Sequence, residues 1–250
     1  MRDEVQIEIC VDSVASAVAA ERGGAKRLEL CSDLLEGGIT PSAGVIDLVR
    51  ARVSIALQVM IRARGGDFCY TADEFEIMRR DIEMAKKLGA DGVVFGILDA
   101  DGNVDTRRSR ELVELARPLD VTFHRAFDMS ADLFRSLEDV CAIGANRILT
   151  SGGDPTAVEG LEVIANLVRA ARGRIAIMPG RGIKPENVRR IIEESGAREI
   201  HAGLGSSVPS PMRFRNPRIS MGNAPEHEYQ RFVVLEENVR GLCRGVASTG

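Results

Sequence analysis

Lys86-Lys87-Leu88-Gly89-Ala90-Asp91-Gly92-Val93-Val94-Phe95-Gly96-Ile97-Leu98 runs from the end of a helical pattern through a glycine turn into a short β-branched run. Glycine just past a helix adopts the left-handed C-cap conformation without steric cost, so the stretch reads as helix stop, tight turn, strand. The same punctuation returns at Gly24-Ala25, Gly144-Ala145 and Gly196-Ala197. Working outward from it, the strand candidates are Val5–Cys10, Arg27–Cys31, Ile55–Ile61, Gly92–Leu98, Val121–His124, Arg147–Thr150, Arg174–Met178 and Glu199–His201. Helical patterns lie between them at Asp12–Glu21, Ala43–Arg52, Thr71–Leu88, Thr106–Arg117, Ala131–Ile143, Thr156–Ala171 and Pro185–Glu194. Ser42, Thr71, Ser130 and Thr156 suit N-caps, and Pro185 suits a first helical turn. Strands alternating with helices predict a parallel sheet with crossover helices.

Such a chain can form an open doubly wound sheet or a closed barrel. No Gly-rich dinucleotide fingerprint follows the first strand, so no nucleotide cofactor is expected, and no substrate domain follows the repeats. The expectation is therefore one α/β domain over residues 1–250, with a single (β/α)8 barrel over 5–205. The segment 206–250 is broken by Pro209, Pro211, Pro217 and Pro225. It is expected to end in a helix at Glu226–Arg244, packing on the barrel or serving a subunit contact in a homo-oligomer, dimer or tetramer.

Composition narrows the function classes. The 250 residues are 44% hydrophobic and 28% charged, which suits a globular core. A net charge of −4 argues against nucleic acid as the partner, since phosphate binding needs a basic face. No stretch approaches the roughly 18 apolar residues of a membrane span, and the start lacks an apolar signal-peptide run. A cytoplasmic address follows as the expectation. The five cysteines, Cys10, Cys31, Cys69, Cys141 and Cys243, are odd in number and scattered, and read as thiols.

Barrel function sits at the carboxyl ends of strands. By the period of two, Glu8 and Cys10 share one face of the first strand, and Glu29 and Cys31 share one face of the second. With the isoleucines and leucines facing the helices, both carboxylates point into the barrel, at matching depth. A buried carboxylate is costly unless it is paired or binds something. Arg62 and Arg64, continuing a face of the third strand, are the expected counter-charges. His124 ends the fifth strand ahead of Arg125 and Asp128, and His201 ends the eighth; His227 reads as a surface residue. These groups form either a structural ion network or a catalytic mouth in which Glu8, Glu29, His124 and His201 exchange protons. Two strand-end histidines in a chain that has three favour the mouth.

Anion sites are expected beside it. Gly180 and Gly182 follow the seventh strand ahead of a helix, and Gly203 follows the eighth, where barrels often bind phosphate. Ser151 adds a hydroxyl. Together with Arg62, Arg64, Arg125 and Asp128 they make up the expected substrate-binding set. Neighbouring strands lie about 4.8 Å apart, so Cys10 and Cys31 could share one soft ion such as Cu(I); the alternative is two buried apolar residues.

The motifs Glu8-Ile9-Cys10, Arg27-Leu28-Glu29-Leu30-Cys31, Gly37-Gly38-Ile39-Thr40-Pro41-Ser42, Arg64-Gly65-Gly66-Asp67-Phe68, Gly89-Ala90-Asp91-Gly92, Thr122-Phe123-His124-Arg125-Ala126 and Leu149-Thr150-Ser151-Gly152 resemble, in this order, the CutC copper-homeostasis family. The resemblance runs from about Val5 to Gly205 and implies a TIM barrel. It also implies copper homeostasis, with Cu(I) bound by cysteines that correspond here to Cys10 and Cys31. Two readings stay open: a cytosolic Cu(I)-binding protein, or an enzyme of isomerase or lyase type acting on a small anionic or phosphorylated sugar-like substrate. No lysine stands at an expected strand end, which weighs against Schiff-base chemistry.

Overall fold

A computed structural model of the chain describes residues 5–221 and 225–247. Residues 1–4, 222–224 and 248–250 of the expected domain lie outside it. Eight strands alternate with helices: β1 (Gln6–Val11), α1 (Val14–Gly23), β2 (Arg27–Leu30), α2 (Ala43–Arg50), β3 (Ala56–Met60), α3 (Ala72–Lys87), β4 (Gly92–Phe95), α4 (Thr106–Ala116), β5 (Asp120–Phe123), α5 (Leu133–Ile143), β6 (Arg147–Thr150), α6 (Leu161–Ala171), β7 (Ala176–Pro179), α7 (Val188–Ser195) and β8 (Glu199–Ala202). The pairing is parallel in the order β7-β6-β5-β4-β3-β2-β1-β8. With β7 beside β8, the sheet is a nearly closed (β/α)8 barrel. The four Gly-Ala turns behave as their sequence dictates: Gly24, Gly89, Gly144 and Gly196 all take positive φ, between 73° and 104°.

Helix starts are set by side-chain caps. Ser42 accepts the Val45 N–H, and Thr71 forms a capping box with Glu74. Two expected starts shift inward. Asp132, rather than Ser130, caps α5 through the Phe134 and Arg135 N–H groups. The Thr156 hydroxyl accepts from Glu159 N–H in the preceding loop, and α6 begins only after Gly160.

The segment expected as one helix at Glu226–Arg244 is divided. Pro225–His227 makes one 3-10 turn, Gln230–Val234 forms β10, antiparallel to β9 (Gly205–Pro209), and Glu236–Ala247 is the α-helical part, α8. Gln230-Arg231-Phe232-Val233-Val234 is a β-branched and aromatic run, and the ladder with β9 overrides a weak helical pattern. α8 closes the outer ring against α1 and α7. A Cβ on Gly23 would fall 2.5 Å from the Val239 Cβ, so the missing side chain sets this close approach. Val234 N–H donates to Ser16 Oγ at 3.1 Å beneath it.

The two faces of each strand go to different places. Ile9, Leu28, Leu57, Val93, Phe95, Val121, Phe123, Ile148, Ile177 and Ile200 are buried between sheet and helices. Each such side chain stabilises the fold by about 1.5–3 kcal/mol. The alternate residues turn inward, where Cys31, Met60 and Val94, with Cys10 against them, make a small separate apolar cluster. The remaining interior is polar, and it forms the site.

Candidate functional site

Glu8 is fully buried at the centre of the barrel. Register sets its neighbours: Glu8 lies opposite Arg27 on β2 and opposite His201 on β8. His201 Nδ1 meets Glu8 Oε1 at 2.8 Å, and Arg27 Nε donates to Glu8 Oε2. Burial alone raises a carboxyl pKa, but the imidazole and guanidinium outweigh it and hold Glu8 at about 2. Arg27 also donates to Glu199, whose Oε2 accepts from Arg147 Nε at 3.0 Å; Arg147 continues to Asp120 at 3.0 Å. An ion network therefore crosses the barrel floor.

Two expectations fail here. Glu8 and Glu29 do not sit at matching depth, because the partner of Glu29 across the ladder is Cys10. Nor do Arg62 and Arg64 supply the counter-charge. That role falls to Arg27 and His201. Glu199 pairs with Arg27 and hands the network on to Arg147, and none of Arg27, Arg147 and Glu199 was among the expected site residues. Parity was the available signal: Arg27 shares its face with Glu29 and Cys31, and Glu199 with His201.

Above the floor, Cys10, Glu29, Cys31 and His201 converge. The two sulfurs are 3.9 Å apart, Cys31 Sγ is 3.5 Å from Glu29 Oε2, and His201 Nε2 is 3.7 Å from the same carboxylate oxygen. Two overlapping sets place their ligand atoms within 4.8 Å of one another: Cys10, Glu29 and Cys31, and Glu8, Glu29 and His201. Charge divides unevenly over the cluster. The Cys31 thiol beside it, with His201 and Glu29, outweighs burial and brings Cys10 down to about 5. The same contact with Cys10, added to burial, pushes Cys31 well above the ordinary thiol value. Burial drives Glu29 up to about 8, against the pull of His201 and with the charge of Cys10 adding to it. Burial works against a charged His201, yet Glu29, Cys10 and Glu8 hold its pKa well above 6.5. The surroundings thus favour the charged forms of Glu8, Cys10 and His201 and the protonated forms of Glu29 and Cys31.

The other expected site residues fall around this centre. Arg62 is buried at the end of β3, and its guanidinium donates to the carbonyls of Glu36, Gly38 and Gly66. Arg64 stands at the rim and pairs with Asp67 at 3.1 Å and Glu74 at 2.7 Å. His124 is buried against Phe68, ring centroids 4.9 Å apart, and burial, then Arg62 and Arg125, lower it to about 3. Arg125, Asp128 and Ser151 are bonded to one another: Arg125 Nε to Asp128 at 2.7 Å, Arg125 Nη2 to Ser151 Oγ at 2.8 Å, and Ser151 N–H to Asp128 at 3.0 Å. Gly180 gives its N–H to the Thr150 carbonyl, and a Cβ there would fall 2.5 Å from Leu149 Cδ1. Gly182 and Gly203 line a depression of about 360 Å³ together with Lys184, Gly205 and Asn238. Cys69, Cys141 and Cys243 stand apart from the cluster, and the His227 ring packs on Phe232.

These features define an eight-stranded β/α barrel carrying a buried thiol, carboxylate and imidazole centre at its carboxyl mouth. The CutC family model matches residues 5–206, and the chain belongs to the CutC family. It is 53% identical over 237 residues to a copper homeostasis protein cutC homolog of Mus musculus, covering 94% of this chain and 87% of that one. A CutC family protein of Chromobacterium violaceum is 47% identical, covering 94% and 96%. Among solved structures, the CutC protein of Streptococcus agalactiae superposes with a TM-score of 0.75 at 34% identity, over 79% of this chain and 98% of that one. A thiamine phosphate pyrophosphorylase of Pyrococcus furiosus shares the fold alone, with a TM-score of 0.60 at 16% identity, covering 99% of this chain and 98% of that one.

Proposed function

We propose that this copper-homeostasis family member binds Cu(I) as cargo in the cytoplasm, through Cys10 and Cys31. The observation that carries the reading is a pair of thiols 3.9 Å apart, in surroundings that bring the Cys10 thiol down to about 5. Thiolate is the ligand form of cysteine, and soft sulfur donors select Cu(I) over harder ions. Metal–sulfur bonds of about 2.3 Å spanning that separation leave a bent S–metal–S arrangement. A bent pair keeps a third position open, and Glu29 Oε2, 3.5 Å from Cys31 Sγ, is the nearest further donor. The Glu8, Glu29 and His201 set is less suited to an ion, because both oxygens of Glu8 already face His201 and Arg27. The names of the similar proteins support the cargo.

The test is a Cu(I) titration under reducing conditions against a chromophoric chelator. One equivalent should bind the parent protein and none the Cys10→Ser, Cys31→Ser double variant. Equal binding by both ends the reading.

One observation favours acid–base chemistry as a second reading. Glu29 keeps its proton to about pH 8 while Cys10 sheds its own near 5, with the His201 imidazolium beside both. Groups whose pKa values are separated in this way serve as acid and base for isomerase or lyase steps. On metal-free protein, turnover of a small anionic substrate that Glu29→Gln abolishes supports it; turnover unaffected by that change removes it.

A further inference from the structure

Beside the thiols, at the end of β3, Arg62 is 5% exposed and has no carboxylate partner among the described residues. Its Nη1 donates to Glu36 O at 2.7 Å and Gly38 O at 3.0 Å, and its Nη2 to Gly66 O at 2.7 Å. These are neutral acceptors, so the charge stays uncompensated in a buried place, and Nε is left with no partner. His124, 4% exposed, is in the same condition. Its Nδ1 accepts the Ala126 N–H at 3.1 Å, which puts the proton of the neutral ring on Nε2, and Nε2 has no partner either. Tyr70, 4% exposed, turns its hydroxyl toward the Arg62 guanidinium without completing a well-formed hydrogen bond, so neither group is fully satisfied.

Phe68 lies against two of them. The Arg62 Cζ lies 5.0 Å from the centroid of its ring, and the His124 ring lies 4.9 Å away on the same residue. The Phe68 carbonyl accepts the Leu98 N–H at 2.9 Å, so the backbone is anchored and the ring can turn about its own side-chain torsions.

We propose that Arg62, His124 and Tyr70 form a pocket for the carboxylate group of a small organic acid, covered in this structure by the Phe68 ring. Buried polar groups are almost always satisfied, and three unsatisfied ones around one guanidinium describe an acceptor that arrives from outside. The pocket carries a single positive charge, because His124 is neutral down to about pH 3. One charge with several donors matches a planar monoanion better than a phosphate, which brings a second charge. The pocket goes beyond the copper reading: it uses neither thiol. It still adjoins the thiol centre, since a Cβ on Gly38, whose carbonyl Arg62 holds, would lie 3.1 Å from Cys31 Sγ.

The test uses ¹⁵N spectra of the three histidine rings and thermal denaturation of the whole chain. Acetate, pyruvate and succinate are compared with chloride and inorganic phosphate at equal ionic strength. A carboxylate should shift the His124 Nε2–H signal, protect it from exchange and raise Tm. His124→Phe, which leaves the loop bonds of Arg62 intact, and Arg62→Gln should each weaken that response about tenfold in Kd. The Cys10→Ser, Cys31→Ser double variant should keep it, whatever becomes of copper. No change at His124 with millimolar carboxylate in the parent protein overturns the proposal without recourse to any variant. An equal response to phosphate overturns the carboxylate assignment, and loss of the response in the double thiol variant overturns its independence from the thiols.

Discussion

Replacing Glu29 by glutamine should reveal a proton exchange that the folded chain otherwise conceals. Glu29 has its pKa raised to about 8, so relative to the unfolded chain it holds an extra proton between about pH 4.5 and 8. The stability it contributes is complete below 4.5 and is lost as pH rises through 8. Cys10 is the reverse: lowered to about 5 from 9.0, it lacks a proton that the unfolded thiol carries, and its contribution is lost as pH falls through 5. Between about pH 5 and 8 the two cancel, and unfolding takes up no net proton at this pair. Glutamine has the shape and neutrality of the protonated acid already present, so Glu8, Cys10 and His201 keep their surroundings. Only the Glu29 proton is deleted from the balance. Unfolding of the variant then takes up one proton, which corresponds to about 1.4 kcal/mol per pH unit. From about pH 5.5 to 7.0 the variant should gain about 2 kcal/mol relative to the parent. Urea unfolding at each pH, at constant m, measures this directly. The difference between the two proteins cancels the titrating groups that do not touch Glu29. Parallel stability curves for parent and variant would refute the assigned protonation states.

Two further outcomes follow from the same geometry. Alkylation of Cys10 by iodoacetamide, followed by peptide mass spectrometry, should show a midpoint near pH 5 that moves upward in Cys31→Ala and in His201→Asn; a parent midpoint in the ordinary thiol range removes the thiolate. Arg27→Met leaves Glu8 and Glu199 short of a buried partner and should cost about 3–5 kcal/mol by urea unfolding; a loss below about 1 kcal/mol would mean that the floor network is not stabilising.

Arg62 and Arg27 mark how far the site could be read before folding. Both lie on an inward-facing parity, and both follow from alternation along their own strand. Only the nearer guanidinium in space answers Glu8, and nearness across strands is not written in either strand. The tail illustrates the same limit: a helical pattern at 226–235 gave way to a ladder with β9, a partner some twenty residues earlier.

The alternation of strands and helices, the four positive-φ glycine turns and the shared inward face of Glu8, Cys10, Glu29 and Cys31 were all legible along the chain. These depend on a period of two along a strand and on backbone conformations that glycine alone adopts freely, both of them local. Tertiary structure decided the depth of each residue in the barrel. Closure staggers neighbouring strands, which set Arg27 beside Glu8, moved Glu29 up beside Cys10, and carried His201 onto Glu8 from 193 residues away. The pKa values at the mouth follow from that stagger, because they depend on distance and burial, which no spacing along the chain specifies.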